Sequence, residues 1–164
     1  MFDIDFKYKG ELKLHIRRFL LFPDYWIDPS NEIEIKLKWY KTRFTEKNIA
    51  KIPEKKGLYA FTVEPKVSNF FKTCYLFYIG ETERTLKIRY KEYLNDQKGK
   101  GKPRPKVFEM LKLYEDNLYF YYTSIDESNV IDENEAKLLN IFLSHINTQI
   151  PSAKIKPELK YIYE

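Results

Sequence analysis

The segment Leu118–Ile125 reads LYFYYTSI, aromatic, aliphatic or β-branched on both faces and free of charge. A strand that hides both faces needs a cover on each side, so it predicts a central strand between two layers. A chain of 164 residues meets that demand as one domain with a real core. With 14 Tyr, 12 Phe and 2 Trp to bury, disorder is excluded. Cys74 is the only cysteine, which excludes a disulfide framework, and with His15 and His145 it makes no conventional zinc set. No apolar run approaches the ~20 residues that span a bilayer. The opening Met1-Phe2-Asp3-Ile4-Asp5 lacks the basic-then-apolar order of a signal peptide. The expectation is a soluble, cytoplasmic, single-domain protein.

Around that strand the other elements fall into order. Glu32–Trp39 alternates, with Ile33, Ile35, Leu37 and Trp39 on one side, and predicts a half-buried strand. Glu11–Phe22 reads either as a strand or as a helix. Thr45 is placed to cap a short helix that Pro53 stops. Gly57–Val63 and Cys74–Ile79 predict two strands of a hairpin, joined by the long polar connection Glu64–Lys72. Leu86, Tyr90, Tyr93 and Leu94 give 84–95 a helical stripe. The loop Gln97–Arg104 feeds a helix over 105–114 that starts on Pro105. Leu138, Leu139, Phe142 and Ile146 mark a helix over 134–146, with Pro151 beyond it. The order β-β-α-α-β-α, after an N-terminal extension, is that of an α/β sandwich. No Gly-rich phosphate loop, nucleophile elbow or dinucleotide fingerprint is present.

Charge is unevenly spread. The net formal charge is +5, yet residues 84–106 hold nine basic groups against Glu92 and Asp96, a local +7. Such a stripe reads as the footprint of a polyanion binder or as a solvated surface loop. The basic tract 98–106 supplies Lys98, Lys100, Lys102, Arg104 and Lys106.

Several residues carry chemistry beside a plainer structural alternative. Glu135 falls on the buried stripe of its helix, three and four residues before Leu138 and Leu139. It is either the N3 member of a capping box begun by Asp132, which spacing alone favours, or an inward carboxylate able to hold a divalent cation. Arg89 borders an apolar stripe, as a snorkelling side chain or as a guanidinium aimed at a phosphate. Tyr59 and Tyr78 are ordinary core aromatics singly. As a pair flanked by Gly57 and Gly80 they sit where another group can approach the sheet closely.

Gly57-Leu58-Tyr59, then Tyr78-Ile79-Gly80, then an arginine-bearing helix and a glutamate-bearing helix together resemble the GIY-YIG nuclease family. The resemblance covers about residues 53–151. It implies a small three-stranded antiparallel sheet flanked by helices, within a nuclease domain over 53–164. Residues 1–52 then form an N-terminal β-containing extension packed on the core or extending its sheet. Arg89, nine residues after Gly80, matches the family arginine, and Glu135 matches the family glutamate. Asn147, twelve residues further on, matches the asparagine of the excision-repair branch. Two features depart from the family pattern. The hairpin loop Glu64–Thr73 is enlarged, and Glu81 is acidic where small, polar or basic residues are frequent. Glu81 either adds a second ligand near the metal or repels phosphate.

The resemblance implies an endonuclease that hydrolyses DNA phosphodiesters with one divalent metal, Mg²⁺ or Mn²⁺, held by Glu135. Arg89 balances charge on the phosphorane, Tyr59 takes or relays a proton from the attacking water, Tyr78 positions water or phosphate, and Asn147 positions by hydrogen bonding. A tyrosine base is demanding, because its free pKa is ~10. Lys98, Lys100, Lys102, Arg104 and Lys106 track the DNA backbone, with RNA a second candidate polyanion. The alternatives are a catalytically inactive nucleic-acid-binding module on the same fold and a protein-interaction domain whose motifs merely build the core.

Overall fold

The computed structural model of the protein describes residues 12–144, 146–147 and 154–162. Four strands, β1 (Tyr40–Arg43), β2 (Gly57–Val63), β3 (Tyr75–Thr82) and β4 (Leu118–Ser124), form one antiparallel sheet in the order β1-β4-β2-β3. Four helices accompany it: α1 (Pro23–Trp26), α2 (Leu86–Gln97), α3 (Pro105–Leu113) and α4 (Ser128–Ile141). The sheet therefore has four strands rather than three. The extra one comes from the N-terminal extension and pairs Tyr40 with Tyr122 and Arg43 with Tyr119. Its presence covers the outer edge of β4, which is interior as its two apolar faces require.

The alternating stretch before β1 corrects the reading of Glu32–Trp39 as a strand: it is irregular, bends at Ile35 and has no ladder partner until Tyr40. Leu37 and Trp39 still pack against Leu58, Ile125 and Ile131, so the alternation marks burial without pairing. Glu11–Phe22 gives neither candidate in full. Leu12–His15 is a single 3₁₀ turn and the chain is irregular from there to Pro23. Glu46–Lys51 is the expected short helix, in 3₁₀ form, after Thr45. His145 and Pro151 lie outside the described residues.

Strand alternation sorts the core into two layers. Tyr59, Phe61 and Val63 point from β2 into a cluster with Tyr90, Tyr93 and Leu94 of α2 and Val107, Met110 and Leu111 of α3. Aromatic contacts dominate there, with Phe61 edge-on to Tyr93 at 5.0 Å and Tyr59 stacked on Phe120 at 5.5 Å. Leu58, Ala60 and Ile79 point the other way, toward Ile131 and Leu139 of α4.

Helix α2 begins where the Thr85 hydroxyl accepts the Ile88 amide at 3.1 Å. It ends at Gly99, whose φ of +72° suits the left-handed residue that closes a helix. The Gly99 and Lys100 amides there take the carbonyls of Asp96 and Asn95, both at 2.9 Å. Helix α3 starts on Pro105, as its sequence requires. Helix α4 is displaced from its expected span, starting six residues early at Ser128 and stopping at Ile141. Asp132 is consequently inside the helix, which overturns the capping box with Glu135. Phe142, expected on the buried stripe, lies past the helix end and is 43% exposed.

Residues near the chain's C-terminal end tie the N-terminal segment down. The Lys156 ammonium lies 4.5 Å from the Tyr25 ring centroid and pairs with Asp28, while Tyr25 donates to Glu158 at 3.1 Å. Among the described residues, no helix is long and apolar enough to cross a membrane.

Candidate active site

Register places Tyr59 directly opposite Gly80. A Cβ on Gly80 would stand 2.5 Å from the Tyr59 hydroxyl and 2.6 Å from its ring carbon, so only glycine lets the phenol lie across β3. From there the Tyr59 oxygen is 2.9 Å from the Tyr93 hydroxyl and accepts the Arg89 Nε–H at 3.0 Å. Tyr93 follows Arg89 by one helical turn, and the guanidinium lies 4.9 Å over its ring. Burial pushes the Tyr59 phenol well above the usual tyrosine range, and a charge on Tyr78 would push it further. The Arg89 cation and hydrogen bonds from Tyr93 and Arg89 oppose this without reversing it. Burial likewise raises Tyr93.

Arg89 is held on its outer side as well. Its Nη1 donates to Glu92 at 2.9 Å, and Glu92 accepts both Nη1 and Nη2 of Arg84 at 2.6 and 2.9 Å. The forked pair with Arg84 leaves Arg89 at the inner end of a three-member ion chain along one face of α2.

Tyr78 stands beside Tyr59, with ring centroids 6.1 Å apart. Its hydroxyl accepts Nη2 of Arg104 at 2.6 Å, and that guanidinium covers the Tyr78 ring at 5.4 Å. Arg104, read from sequence as a backbone-tracking cation of the basic loop, thus turns inward. The other loop cations stay outside. Lys98 pairs with Glu46 at 3.1 Å, Lys100 and Lys102 are exposed, and Lys106 lies in the first turn of α3.

Glu135 belongs to the opposite layer. It is 8% exposed, and its carboxyl is pushed up to about 7, by burial first and then by the charges of Glu81 and Asp132. A backbone hydrogen bond at Glu81 acts the other way. Glu81 pairs across the ladder with Leu58, which sends its side chain to the α4 side, immediately after Gly80 has exposed the other side. Burial and the charges of Asp132 and Glu83 raise Glu81, and Arg89 lowers it. Ligand oxygens of Glu81, Glu83 and Asp132 lie within 4.8 Å of one another. Glu83 accepts a hydrogen bond from Ser128 at 2.6 Å, whereas Oε2 of Glu81 is buried with no hydrogen-bond partner. Among the described residues, no hydrogen bond or ion pair joins Glu135 to the tyrosines or to Arg89. Glu81 is the group whose charge acts on both sides.

Asn147 is 1% exposed and clamps the backbone of Ile79, accepting its N–H at 2.8 Å and donating to its carbonyl at 2.6 Å. The Ser144 hydroxyl donates to the same Asn147 oxygen. The amide therefore fixes the strand between Tyr78 and Gly80.

The structure gathers Tyr59, Tyr78 and Arg89, puts Asn147 behind their strand, and keeps Glu135 across the sheet. Tyr93, Glu92 and the inward role of Arg104 escaped the sequence reading. Tyr93 alone had a usable signal, its four-residue spacing from Arg89. No protein-family model, no curated protein and no solved structure matches this chain.

Proposed function

We propose that this chain is a divalent-metal-dependent endonuclease that hydrolyses DNA phosphodiester bonds, as its resemblance to the GIY-YIG family implies. The observation that carries the reading is the Tyr59–Arg89 hydrogen bond laid across Gly80, with Tyr78 alongside. It supports the joint use of both motifs and of the helix arginine in one site. Apolar packing alone does not call for a guanidinium at this place, and a fixed cation beside two phenols suits the charge that builds on a phosphate.

The donor set suits a hard cation. Glu81, Glu83 and Asp132 offer oxygens within 4.8 Å of one another, one Glu81 oxygen is buried without a partner, and the charges of Glu81 and Asp132 also reach Glu135, a repulsion that a divalent ion relieves. Glu135 and Glu81 would hold Mg²⁺ or Mn²⁺, which when bound polarises a phosphoryl oxygen and stabilises the leaving oxygen. Arg89 steadies the charge that builds on the phosphate. Because burial holds the Tyr59 phenol well above its usual range, its part is to hydrogen-bond the attacking water or the phosphate rather than to act as the base. Lys98, Lys100, Lys102 and Lys106 hold the DNA backbone without reading sequence. A cytoplasmic location belongs to the same proposal.

The same burial favours a second reading. Tyr59 is 1% exposed and its oxygen is already engaged by Tyr93 and Arg89, as befits a nucleic-acid-binding module without turnover. Supercoiled-plasmid cleavage with Mg²⁺ or Mn²⁺ decides, run beside Glu135→Ala purified in the same way. Metal-dependent nicking that the variant loses is the expected result. Binding without nicking establishes the second reading, and equal nicking by both proteins removes Glu135 as the metal ligand.

A further inference from the structure

Arg104 is the residue that the family pattern leaves unexplained. It closes the tract Gln97–Arg104, whose lysines and glycines belong in water, yet its guanidinium is half-buried over Tyr78. A guanidinium has five N–H donors in a fixed fork, and withdrawing them from water is costly unless acceptors replace the water. Among the described hydrogen bonds, Arg104 spends one donor, Nη2, on the Tyr78 hydroxyl. That hydroxyl accepts, and its own proton has no acceptor among the described bonds. Two donor groups thus converge at the Tyr78 hydroxyl.

Arg89 stands close by. It donates to Tyr59 at 3.0 Å, the Tyr59 and Tyr78 ring centroids are 6.1 Å apart, and Tyr78 accepts Arg104 at 2.6 Å, so both cations flank one tyrosine pair, and both charges also act on the partly buried Asp96 carboxyl. Two guanidiniums in one volume repel each other; Glu92 pairs with Arg89, and the Asp96 carboxyl feels both. A compact anion with several oxygens complements the remaining donors of two guanidiniums and a phenol at once. A tetrahedral phosphate has that shape and charge.

We propose that Arg104 is a second phosphate-binding arginine, which with Arg89 grips one phosphate against the Tyr59–Tyr78 pair. The assignment rests on reading this site as one for phosphodiesters, and it deepens that reading by giving the phosphate two anchors, one on α2 and one in the loop that leads into α3. The competing role is architectural: Arg104 would merely seal the start of α3 over an aromatic ring.

The side-chain Nε–H signals of Arg89 and Arg104 in ¹⁵N NMR separate the two roles, with inorganic phosphate as the probe. Each signal is assigned by its loss in Arg89→Lys or Arg104→Gln. Both are expected to move along one binding curve, with Arg104→Gln weakening phosphate binding about tenfold. Arg104→Lys keeps the charge, loses the fork and falls between; it also serves if Arg104→Gln does not fold. Movement of Arg89 alone, movement of neither, or unchanged binding in a folded Arg104 variant overturns the proposal. Plasmid cleavage is scored separately. Paired movement without cleavage keeps the clamp and removes the nuclease, whereas cleavage with an unmoved Arg104 keeps the nuclease and removes the clamp.

Discussion

On the α2–α3 side of the sheet, charge is carried by guanidiniums set among phenols, and the oxygens of Tyr59, Tyr78 and Tyr93 all have partners within that group. On the α4 side it is carried by carboxylates set among carboxylates, with one Glu81 oxygen left without a partner. The boundary between them is two residues wide: Gly80 admits Tyr59 on one side and Glu81 faces Glu135 on the other. The difference teaches that the two layers are built under different rules. The first is locked by shape and hydrogen bonding, while the second holds a surplus of negative charge that does nothing for folding. A surplus of donors and a surplus of acceptors, placed back to back, complement a phosphate and a cation respectively.

The largest expected effect tests the locked side. Gly80→Ala forces a methyl group into the Tyr59 hydroxyl and should cost about 3 kcal/mol in urea unfolding. Full stability in this variant would mean that Tyr59 does not cross β3, and the comparison would collapse. Next comes the frustrated side. The Glu135 carboxyl titrates near 4.5 unfolded and is held at about 7 when folded. At this group the folded protein then binds more protons in that window, so the contribution of Glu135 to stability is greatest below 4.5 and declines as pH rises through 7. The decline should approach about 3 kcal/mol, and Glu135→Gln should flatten it and be the more stable protein at neutral pH. Urea titrations of both proteins across that window, without divalent metal, read the slope; identical slopes would show that the carboxylates are not in conflict. The smallest effect concerns neither face. Lys100→Gln and Lys102→Gln should leave stability unchanged, while each lowers the salt slope of DNA binding by about one. An unaltered slope would confine the DNA contact to the two faces.

Much of the frame was legible because it follows from local pattern. Gly57–Val63, the stripe Leu86, Tyr90, Tyr93 and Leu94, Pro105, and Leu118–Ile125 each carry a period or a breaker that one element satisfies. The failures share a cause, which is that pattern reports burial and not partners. Ile33 to Trp39 alternates and two of its side chains are packed, yet the ladder begins only at Tyr40, opposite Tyr122 of β4. The polar residues Ser128, Asn129, Asp132 and Glu133 hid the first two turns of α4, because a wet helix face looks like a loop. In the candidate site, the residues tied to motifs were visible and those reaching in from elsewhere were not. Arg104 sits in a tract that composition assigns to solvent, and only the tertiary fold brings it 2.6 Å from Tyr78.

The Asn147 amide has a consequence for how the chain is made. β3 is an outer strand, and at Ile79 its backbone donor and acceptor are both taken by one side chain from 68 residues further along. Until that asparagine has left the ribosome, the middle of β3 presents an open template onto which the strand of a neighbouring nascent chain can add. Closing it with an amide rather than another strand ends the sheet there, since a side chain offers no further edge to copy. The same contact that steadies the backbone beside Gly80 therefore also blocks the outer edge of β3 at Ile79 against a further strand.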